Sequence, residues 1–133
     1  MFFFFNNFLL GVCCGNTCYR SISTNALLRN GHELKSLNGR YKLVMQNDGN
    51  LVIYCGGSKP IWASHTHGIR IRDGMVLQTD GNLVLYRSDG RAVWSSGTYN
   101  KEVDRFVLQD DGNFVGYGKY GQVFYATHTH GKC

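Results

Sequence analysis

Three nine-residue segments of the chain carry the same polar side chains at the same spacing. They read QNDGNLVIY from Gln46, QTDGNLVLY from Gln78 and QDDGNFVGY from Gln109, so each keeps the pattern QxDxNxVxY. Amide side chains both donate and accept hydrogen bonds, a carboxylate accepts them, and a phenol hydroxyl does both. Such a set can satisfy neighbouring hydroxyl groups while the Val contacts C–H surface. The pattern therefore predicts recognition of a sugar ring.

The three segments belong to a longer internal repeat. Their first residues lie 32 and 31 positions apart, and a bulky aromatic residue follows each Gln by 16 positions, at Trp62, Trp94 and Tyr125. A short period repeated three times indicates three copies of one supersecondary unit that share a core. The period is shorter than a propeller blade of about 40 to 45 residues, and three blades would not close a propeller.

Each segment is expected to form a β-hairpin, because Asp-Gly stands between two stretches of alternating apolar residues. A two-residue loop would pair Gln46 with Leu51, whereas a three-residue loop ending in a left-handed Gly would pair Gln46 with Asn50. The second register is favoured because it separates the apolar side chains from the motif. The predicted core face consists of Leu43, Met45, Leu51 and Ile53, then Met75, Leu77, Leu83 and Leu85, then Phe106, Leu108, Phe114 and Gly116. Gly116 is expected to leave a thin spot in that face.

Size and composition indicate one all-β domain. The chain has a mass of 15.0 kDa, with 17 Gly, one Pro and many aromatic residues, and it lacks stretches rich in helix-forming residues. The formal net charge is +5, which could suit an anionic partner. The basic residues are scattered, however, with only Arg70 and Arg72 close together, so nucleic-acid binding is not expected.

Residues 1–18 are interpreted as an apolar leader, and residues 19–133 as one domain with three repeats. The opening MFFFFNNFLLGVCCG is shorter than the roughly 20 residues of a membrane-spanning helix, so membrane insertion is not expected. It has the length of a signal-peptide core but lacks the usual basic residues before it. A secretory signal and a vestigial leader both stay open.

The five cysteines, an odd number, define no closed disulfide framework. No spacing among them is typical of a zinc site or a redox CxxC motif. No bridge follows from the spacing, and free thiols at Cys55 and Cys133 are compatible with the sequence.

The three motifs resemble those of the bulb-type, mannose-binding lectins typified by the snowdrop agglutinin. The resemblance covers residues 19–133 and includes the PIWAS and VWSS segments that follow the first two motifs. It implies a β-prism II fold, with three four-stranded sheets around a pseudo-threefold axis, and mannose binding without a metal or other cofactor. Gly49 stands where plant members carry a Cys. This is similar to the animal branch found in fish skin and mucus, which implies a secreted or extracellular protein.

The resemblance also implies a role for each motif residue. In that family the Asp and Asn hold the axial 2-hydroxyl of mannose, Gln reaches the 3-hydroxyl, Tyr reaches the 4-hydroxyl, and Val packs on the ring. The candidate carbohydrate-binding residues are Gln46, Asp48, Asn50, Val52 and Tyr54 in the first site; Gln78, Asp80, Asn82, Val84 and Tyr86 in the second; and Gln109, Asp111, Asn113, Val115 and Tyr117 in the third. Mannose-rich glycans are the expected partners, with agglutination or defence as the expected role. A homodimer that exchanges C-terminal strands stays open.

Other interpretations of these residues are less favoured. The motifs could be hairpin chemistry alone, or a degenerate lectin scaffold that binds a protein partner, but turns do not require the repeated Gln and Tyr. The sequence DDGN at 110–113 lacks the remaining ligands of a calcium loop. The two HTHG segments, at His65 and His128, are explained more simply as equivalent strand ends than as a zinc site with Cys133. An enzyme is not expected, because no second carboxylate accompanies any motif Asp.

Overall fold

The computed structural model describes residues 20–133 in full, together with the backbone of two short strands before them. Within this part of the chain the strands are β1 (Cys13–Cys14), β2 (Thr17–Cys18), β3 (Ser21–Ser23), β4 (Leu27–Arg29), β5 (Glu33–Lys35), β6 (Tyr41–Met45), β7 (Leu51–Cys55), β8 (Lys59–Ala63), β9 (Ile71–Leu77), β10 (Leu83–Arg87), β11 (Ala92–Ser95), β12 (Val103–Leu108), β13 (Phe114–Gly118) and β14 (Val123–Ala126). No helix in the described residues is long and apolar enough to cross a bilayer.

Each repeat contributes a three-stranded antiparallel meander to its own sheet. The meanders are β6-β7-β8, β9-β10-β11 and β12-β13-β14. The fourth strand of each sheet comes from the segment before the repeats, because β5 pairs with β6, β4 with β9, and β3 with β12. One stretch of about fifteen residues therefore ties all three sheets together.

The first sheet extends beyond the four strands predicted for it. Strand β2 pairs in parallel with β5, and β1 pairs with β2, which gives the order β1-β2-β5-β6-β7-β8. Both added strands fall within residues 1–18, which the sequence analysis separated from the domain. The rest of that predicted leader lies outside the described residues.

The hairpins adopt the predicted three-residue loop. Met45 pairs with Leu51, and the Gln46 N–H donates to the Asn50 carbonyl over 2.9 Å. Gly49 ends the loop with a φ of 94°, and a Cβ there would lie 2.0 Å from the Ile69 carbonyl oxygen. The backbone bond between Gln and Asn recurs at 2.9 Å in the other two repeats, so all three motifs have the same register.

The predicted core faces meet in a single hydrophobic core. Leu, Ile, Met and Phe side chains on those faces are fully buried in all three repeats. The aromatic residues that follow each motif pack there as well, with Trp62 and Trp94 5.6 Å apart and Trp94 and Tyr125 6.2 Å apart, both edge to face. Burial raises the pKa of the Tyr125 phenol, so this ring stays neutral in the core.

The expectation of a thin spot at Gly116 is wrong. Gly116 pairs with Phe106, and a Cβ at Gly116 would lie 2.8 Å from the Phe106 ring. The larger side chain on β12 fills the volume that glycine leaves on β13. Phe106 also packs against Phe114 at 5.4 Å and Tyr125 at 5.9 Å.

The structure decides the state of Cys55 and Cys133, which the sequence left open, against free thiols. The two residues form a disulfide, with a Cα–Cα distance of 5.8 Å across a sequence separation of 78. Cys55 ends β7 and is buried, whereas Cys133 is exposed. The bridge therefore fastens the end of the third repeat to the first sheet.

Candidate functional site

The polar residues of the first motif form one hydrogen-bonded cluster at the hairpin tip. Tyr54 donates from its hydroxyl to Gln46 Oε1. The Nε2 of Gln46 donates to both carboxylate oxygens of Asp48, each over 3.1 Å. The Asn50 backbone N–H donates to Asp48 Oδ1 over 2.9 Å. Three side chains and the Asn50 backbone, all from residues that the sequence analysis assigned to one site, are therefore joined by hydrogen bonds.

The second and third motifs form the same cluster. Tyr86 donates to Gln78, Gln78 to Asp80 over 3.0 and 3.2 Å, and the Asn82 backbone to Asp80 over 2.9 Å. Tyr117 donates to Gln109, Gln109 to Asp111 over 3.1 and 3.2 Å, and the Asn113 backbone to Asp111 over 2.9 Å. Each sheet thus carries one complete cluster, and none of the three clusters uses motif residues from another repeat.

The motif Val residues form the floor of each site. Val52, Val84 and Val115 are only 3%, 1% and 3% exposed. Their positions between the Asn and the Tyr were predicted, but their near-complete burial was not. Because little of each Val is accessible, the surface of each candidate site is formed mainly by the polar side chains around it.

A second set of repeated residues supports each site, and the sequence analysis missed it. Asn50 Oδ1 accepts from Ser64 Oγ over 3.3 Å and from the Thr66 N–H over 3.1 Å. Thr66 Oγ1 donates to the Gly49 carbonyl over 2.6 Å. The equivalent pairs are Ser96 with Thr98, which hold Asn82, and Thr127 with Thr129, which hold Asn113.

A signal for these residues was present in the sequence. Ser64, Ser96 and Thr127 each follow their motif Gln by 18 positions, and the three buried Thr residues follow it by 20. The Oδ1 of each motif Asn accepts from the hydroxyl of Ser64, Ser96 or Thr127 and from the backbone N–H of the buried Thr two residues later. These bonds thereby direct the Nδ2 donor outward, and within residues 20–133 no hydrogen bond uses the Nδ2 of Asn50.

Each motif Tyr also lies under a basic side chain, a feature that the sequence analysis did not predict. The distances from the charged group to the ring centroid are 5.8 Å for Lys42 over Tyr54, 5.4 Å for Arg72 over Tyr86, and 5.1 Å for Arg105 over Tyr117. Such cation–π contacts orient the ring and contribute roughly 0.5 to 1 kcal/mol at exposed positions. Part of the positive charge that appears scattered in the sequence thus borders the three sites.

The His pairs considered as a zinc site occupy equivalent turns. His65 and His128 both have positive φ, at 60° and 57°, as does Gly97 of the second repeat. Each is the middle residue between the two hydroxyl residues that hold the motif Asn. Within residues 20–133 no group of three or more His, Cys, Asp or Glu side chains is placed to hold a metal ion.

Comparison with known proteins relates this arrangement to lectins. No protein-family model matches the chain. It is 51% identical over 47 residues to the B-type lectin plumieribetin of Scorpaena plumieri, a match that covers 35% of this chain and 40% of that protein. The chain thus spans less than half the length of this curated relative.

Several solved lectin structures match over nearly their whole length. Monomeric monocot mannose-binding lectins from Gastrodia elata are 34% identical, with a TM-score of 0.72, and the match covers 84% of this chain and 98% of theirs. The mannose-specific agglutinin of snowdrop, Galanthus nivalis, in complex with methyl α-D-mannoside is 36% identical. Its TM-score is 0.66, and the match covers 84% of this chain and 97% of that one.

The chain belongs to the bulb-type lectin family. Its three sheets form the β-prism II fold predicted from the sequence. The matched proteins are lectins, and this bulb-type lectin accordingly belongs to a non-enzymatic family.

Proposed function

We propose that this bulb-type lectin binds mannose-containing glycans at three sites, one on each sheet. The observation that carries the proposal is the threefold recurrence of one hydrogen-bonded cluster of Gln, Asp, Asn and Tyr. In each cluster the Asn side chain is held by hydrogen bonds from a Ser or Thr hydroxyl and a buried Thr N–H. A preformed set of donors and acceptors suits a ligand whose hydroxyl groups also donate and accept. The solved complex of the snowdrop agglutinin with methyl α-D-mannoside supports mannose as that ligand.

The discriminating contact is the one to the axial 2-hydroxyl. In the second site Asp80 offers an acceptor and Asn82 Nδ2 a donor on the same side of the floor. Gln78 and Tyr86 would contact the 3- and 4-hydroxyls, and Val84 the ring. Glucose carries its 2-hydroxyl equatorially and would leave the Asp and Asn without partners, and unpaired polar groups strongly disfavour a ligand.

Several weak sites on one chain can together give a high apparent affinity. A shallow site for one sugar binds at around millimolar concentration, about 4 kcal/mol. Linked sites can raise the apparent affinity by roughly 10² to 10⁴ when the target presents repeated mannose at matching spacing. Three sites on three faces would crosslink such targets, which supports agglutination of mannose-coated cells. Extracellular, mucosal defence is the role proposed for that activity, and the match to a fish lectin supports it.

The test is a titration of the full ¹⁵N-labelled chain with methyl α-mannoside, followed residue by residue. Amide shifts are expected at Gly49, Gly81 and Gly112, at the three hairpin tips. The substitutions Asn50→Ala, Asn82→Ala and Asn113→Ala, made singly, should each abolish the shifts at their own tip and leave the other two. Methyl α-glucoside serves as the matched control ligand, because the two sugars differ only at the 2-hydroxyl. Equal shifts with both sugars, or none with mannoside, would contradict the proposal and would favour a scaffold that binds a protein partner.

A further inference from the structure

A basic side chain lies at the same end of each candidate site, the end opposite the hairpin tip. Lys42 pairs with Tyr54 across β6 and β7, and Arg105 pairs with Tyr117 across β12 and β13. Both basic residues precede their motif Gln by four positions. Side chains of paired residues lie on the same face of a sheet. Lys42 and Arg105 therefore lie beside the motif Tyr, on the face that carries the site.

The second sheet reaches the same arrangement with a different residue. Gly74 stands four positions before Gln78. It has a φ of 140°, and a Cβ there would lie 2.1 Å from the Leu28 carbonyl oxygen, so this position excludes a basic side chain. Arg72, two residues earlier, lies over the Tyr86 ring instead, 5.4 Å from its centroid, at the bulge of β9. The second site therefore has its cation although the sequence position has changed.

A second basic residue flanks two of the three sites. Lys35 on β5 pairs with Lys42. Arg29 on β4 takes the equivalent position in the second sheet, and Ser23 on β3 takes it in the third. Like charges directly opposite each other on adjacent strands are destabilising. An anion bound between the two lysines would relieve their repulsion.

The acidic residues on the same strands do not cancel all of this positive charge. Each sheet has one of them, and they are Glu33, Asp73 and Asp104. Within residues 20–133 only Arg105 of these basic residues forms an ion pair, with Asp104 over 3.4 Å. Outside the motif Asp, which lies at the hairpin tip, one positive charge is left over at the first and second sites and none at the third.

The cations face one particular position of a bound mannose. In the proposed binding mode the 2-hydroxyl lies at the hairpin tip and the 4-hydroxyl lies at the motif Tyr. In a pyranose ring C5 lies across from C2 and next to C4, so C5 and the 6-hydroxyl attached through C6 lie at the Tyr end. A substituent on the 6-hydroxyl would therefore reach the cations while the 2-, 3- and 4-hydroxyls stay on the motif.

We propose that the first and second sites bind mannose that carries a phosphate group on its 6-hydroxyl. The phosphate contacts Lys42 and Lys35 in the first site. It contacts Arg72 and Arg29 in the second. A phosphate monoester carries about −1.5 to −2 charges at pH 7 and has three strong acceptor oxygens, and hydrogen bonds between ionised groups are stronger than neutral ones. This inference rests on the proposed mannose binding at the motifs, and it assigns neutral mannose to the third site.

The test compares methyl α-mannoside with its 6-phosphate on the full ¹⁵N-labelled chain, with amide shifts read at Gly49, Gly81 and Gly112. In about 50 mM salt the phosphate is expected to bind about fivefold more tightly at Gly49 and Gly81, and less than about twofold more tightly at Gly112. In about 0.5 M salt the preference should fall below about twofold at every tip, because exposed charges are then screened. Inorganic phosphate alone, at the same concentrations, should shift none of the three tips.

Two variants test the charges themselves through the ratio of the two affinities. Lys42→Gln should lower the ratio at Gly49 below about twofold, whatever it does to methyl mannoside alone, because one cation then faces one carboxylate. Lys42→Arg keeps the charge and should keep the preference. Asp104→Asn removes the ion-pair partner of Arg105 and should raise the ratio at Gly112 above about twofold.

Lys119→Gln is the matched control, because Lys119 lies 6.0 Å from the ring centroid of Tyr120, a Tyr that belongs to no motif. It should change no ratio. The proposal is overturned if the two mannosides bind equally at Gly49 and Gly81, if Lys42→Gln keeps the preference, or if inorganic phosphate alone produces the same shifts. A lack of response to methyl mannoside itself would instead overturn the proposed function on which this inference depends.

Discussion

The orientation of each motif Asn depends on buried residues outside the motif. Thr98 is 1% exposed. Its Oγ1 donates to the Gly81 carbonyl over 2.7 Å and lies 2.6 Å from Ser96 Oγ, while its N–H donates to Asn82 Oδ1. A buried carbonyl that loses its donor retains its desolvation penalty, about 1 to 3 kcal/mol. The supporting hydroxyl therefore affects both the fold and the site.

Thr98→Val tests this dependence. The substitution keeps the shape of the side chain but leaves the Gly81 carbonyl without its donor, so the free energy of unfolding should fall by about 1 to 3 kcal/mol in urea denaturation. Methyl mannoside binding at the second site should weaken, while the other two sites keep theirs. Thr79→Val, the same chemical change at an exposed loop position, is the control and should alter neither quantity. Unchanged stability and binding in Thr98→Val would refute the supporting role.

Among single residues, those that repeat without variation could be identified from the sequence. Gln, Asp, Asn, Val and Tyr are identical in all three motifs. The structure joins the polar members of each motif by hydrogen bonds, and sugar binding by these residues stays a prediction. The supporting hydroxyls were missed because Ser64 and Ser96 become Thr127 in the third repeat, and because their partner is an amide 14 positions away. The cations over the Tyr rings were missed because the β9 bulge shifts the position of Arg72 relative to its motif.

At the scale of strands, the combined side-chain volume of two facing residues on paired strands is kept similar, whereas the size of each residue varies between repeats. Leu43 faces Ile53 in the first sheet and Met75 faces Leu85 in the second, whereas Phe106 faces Gly116 in the third. The alternating apolar pattern and the Asp-Gly turn were enough to predict the register of all three hairpins. They could not predict this exchange, because complementary packing depends on side chains brought together by the fold.

Gly116→Ala should destabilise the protein. Its Cβ would lie 2.8 Å from the Phe106 ring, and overpacking of this kind typically costs about 1 to 3 kcal/mol. The double substitution Phe106→Met with Gly116→Leu copies the second sheet. It should be more stable than the sum of the two single changes predicts, with a coupling of about 0.5 to 3 kcal/mol in a double-mutant cycle. Additive single effects would show that the two positions do not compensate for each other.

For the whole molecule, each hairpin tip packs against a different part of the chain. A Cβ at Gly49 would meet the Ile69 carbonyl and one at Gly81 the Lys101 carbonyl, both in the loops that lead into the next repeat. A Cβ at Gly112 would instead meet the ring of Tyr41, at the start of the first sheet. Asn38 adds hydrogen bonds from the same sheet to Asp110. The third site therefore lies where the last repeat closes onto the first.

The disulfide strengthens that closure, and no local pattern could predict it. Its two cysteines are separated by 78 residues, and only the return of the third repeat to the first sheet brings them together. Thr127 and Thr129, which hold Asn113, precede Cys133 by six and four residues, so the bridge anchors the segment that shapes the third site. A disulfide of this kind also fits the oxidising, extracellular setting proposed for the protein.

Cys133→Ser should therefore weaken the third site selectively. Loss of a disulfide that closes a long loop lowers the free energy of unfolding by about 2 to 4 kcal/mol, and the segment after Phe124 should exchange its amide hydrogens faster than the rest of the chain. Methyl mannoside shifts at Gly112 should diminish, while those at Gly49 and Gly81 persist, because the bridge does not anchor the turns that hold Asn50 and Asn82. The wild-type protein under a reducing agent is the control and should behave in the same way. If all three sites weaken equally, or if hydrogen exchange after Phe124 does not change, the C-terminal anchor is not what shapes the third site.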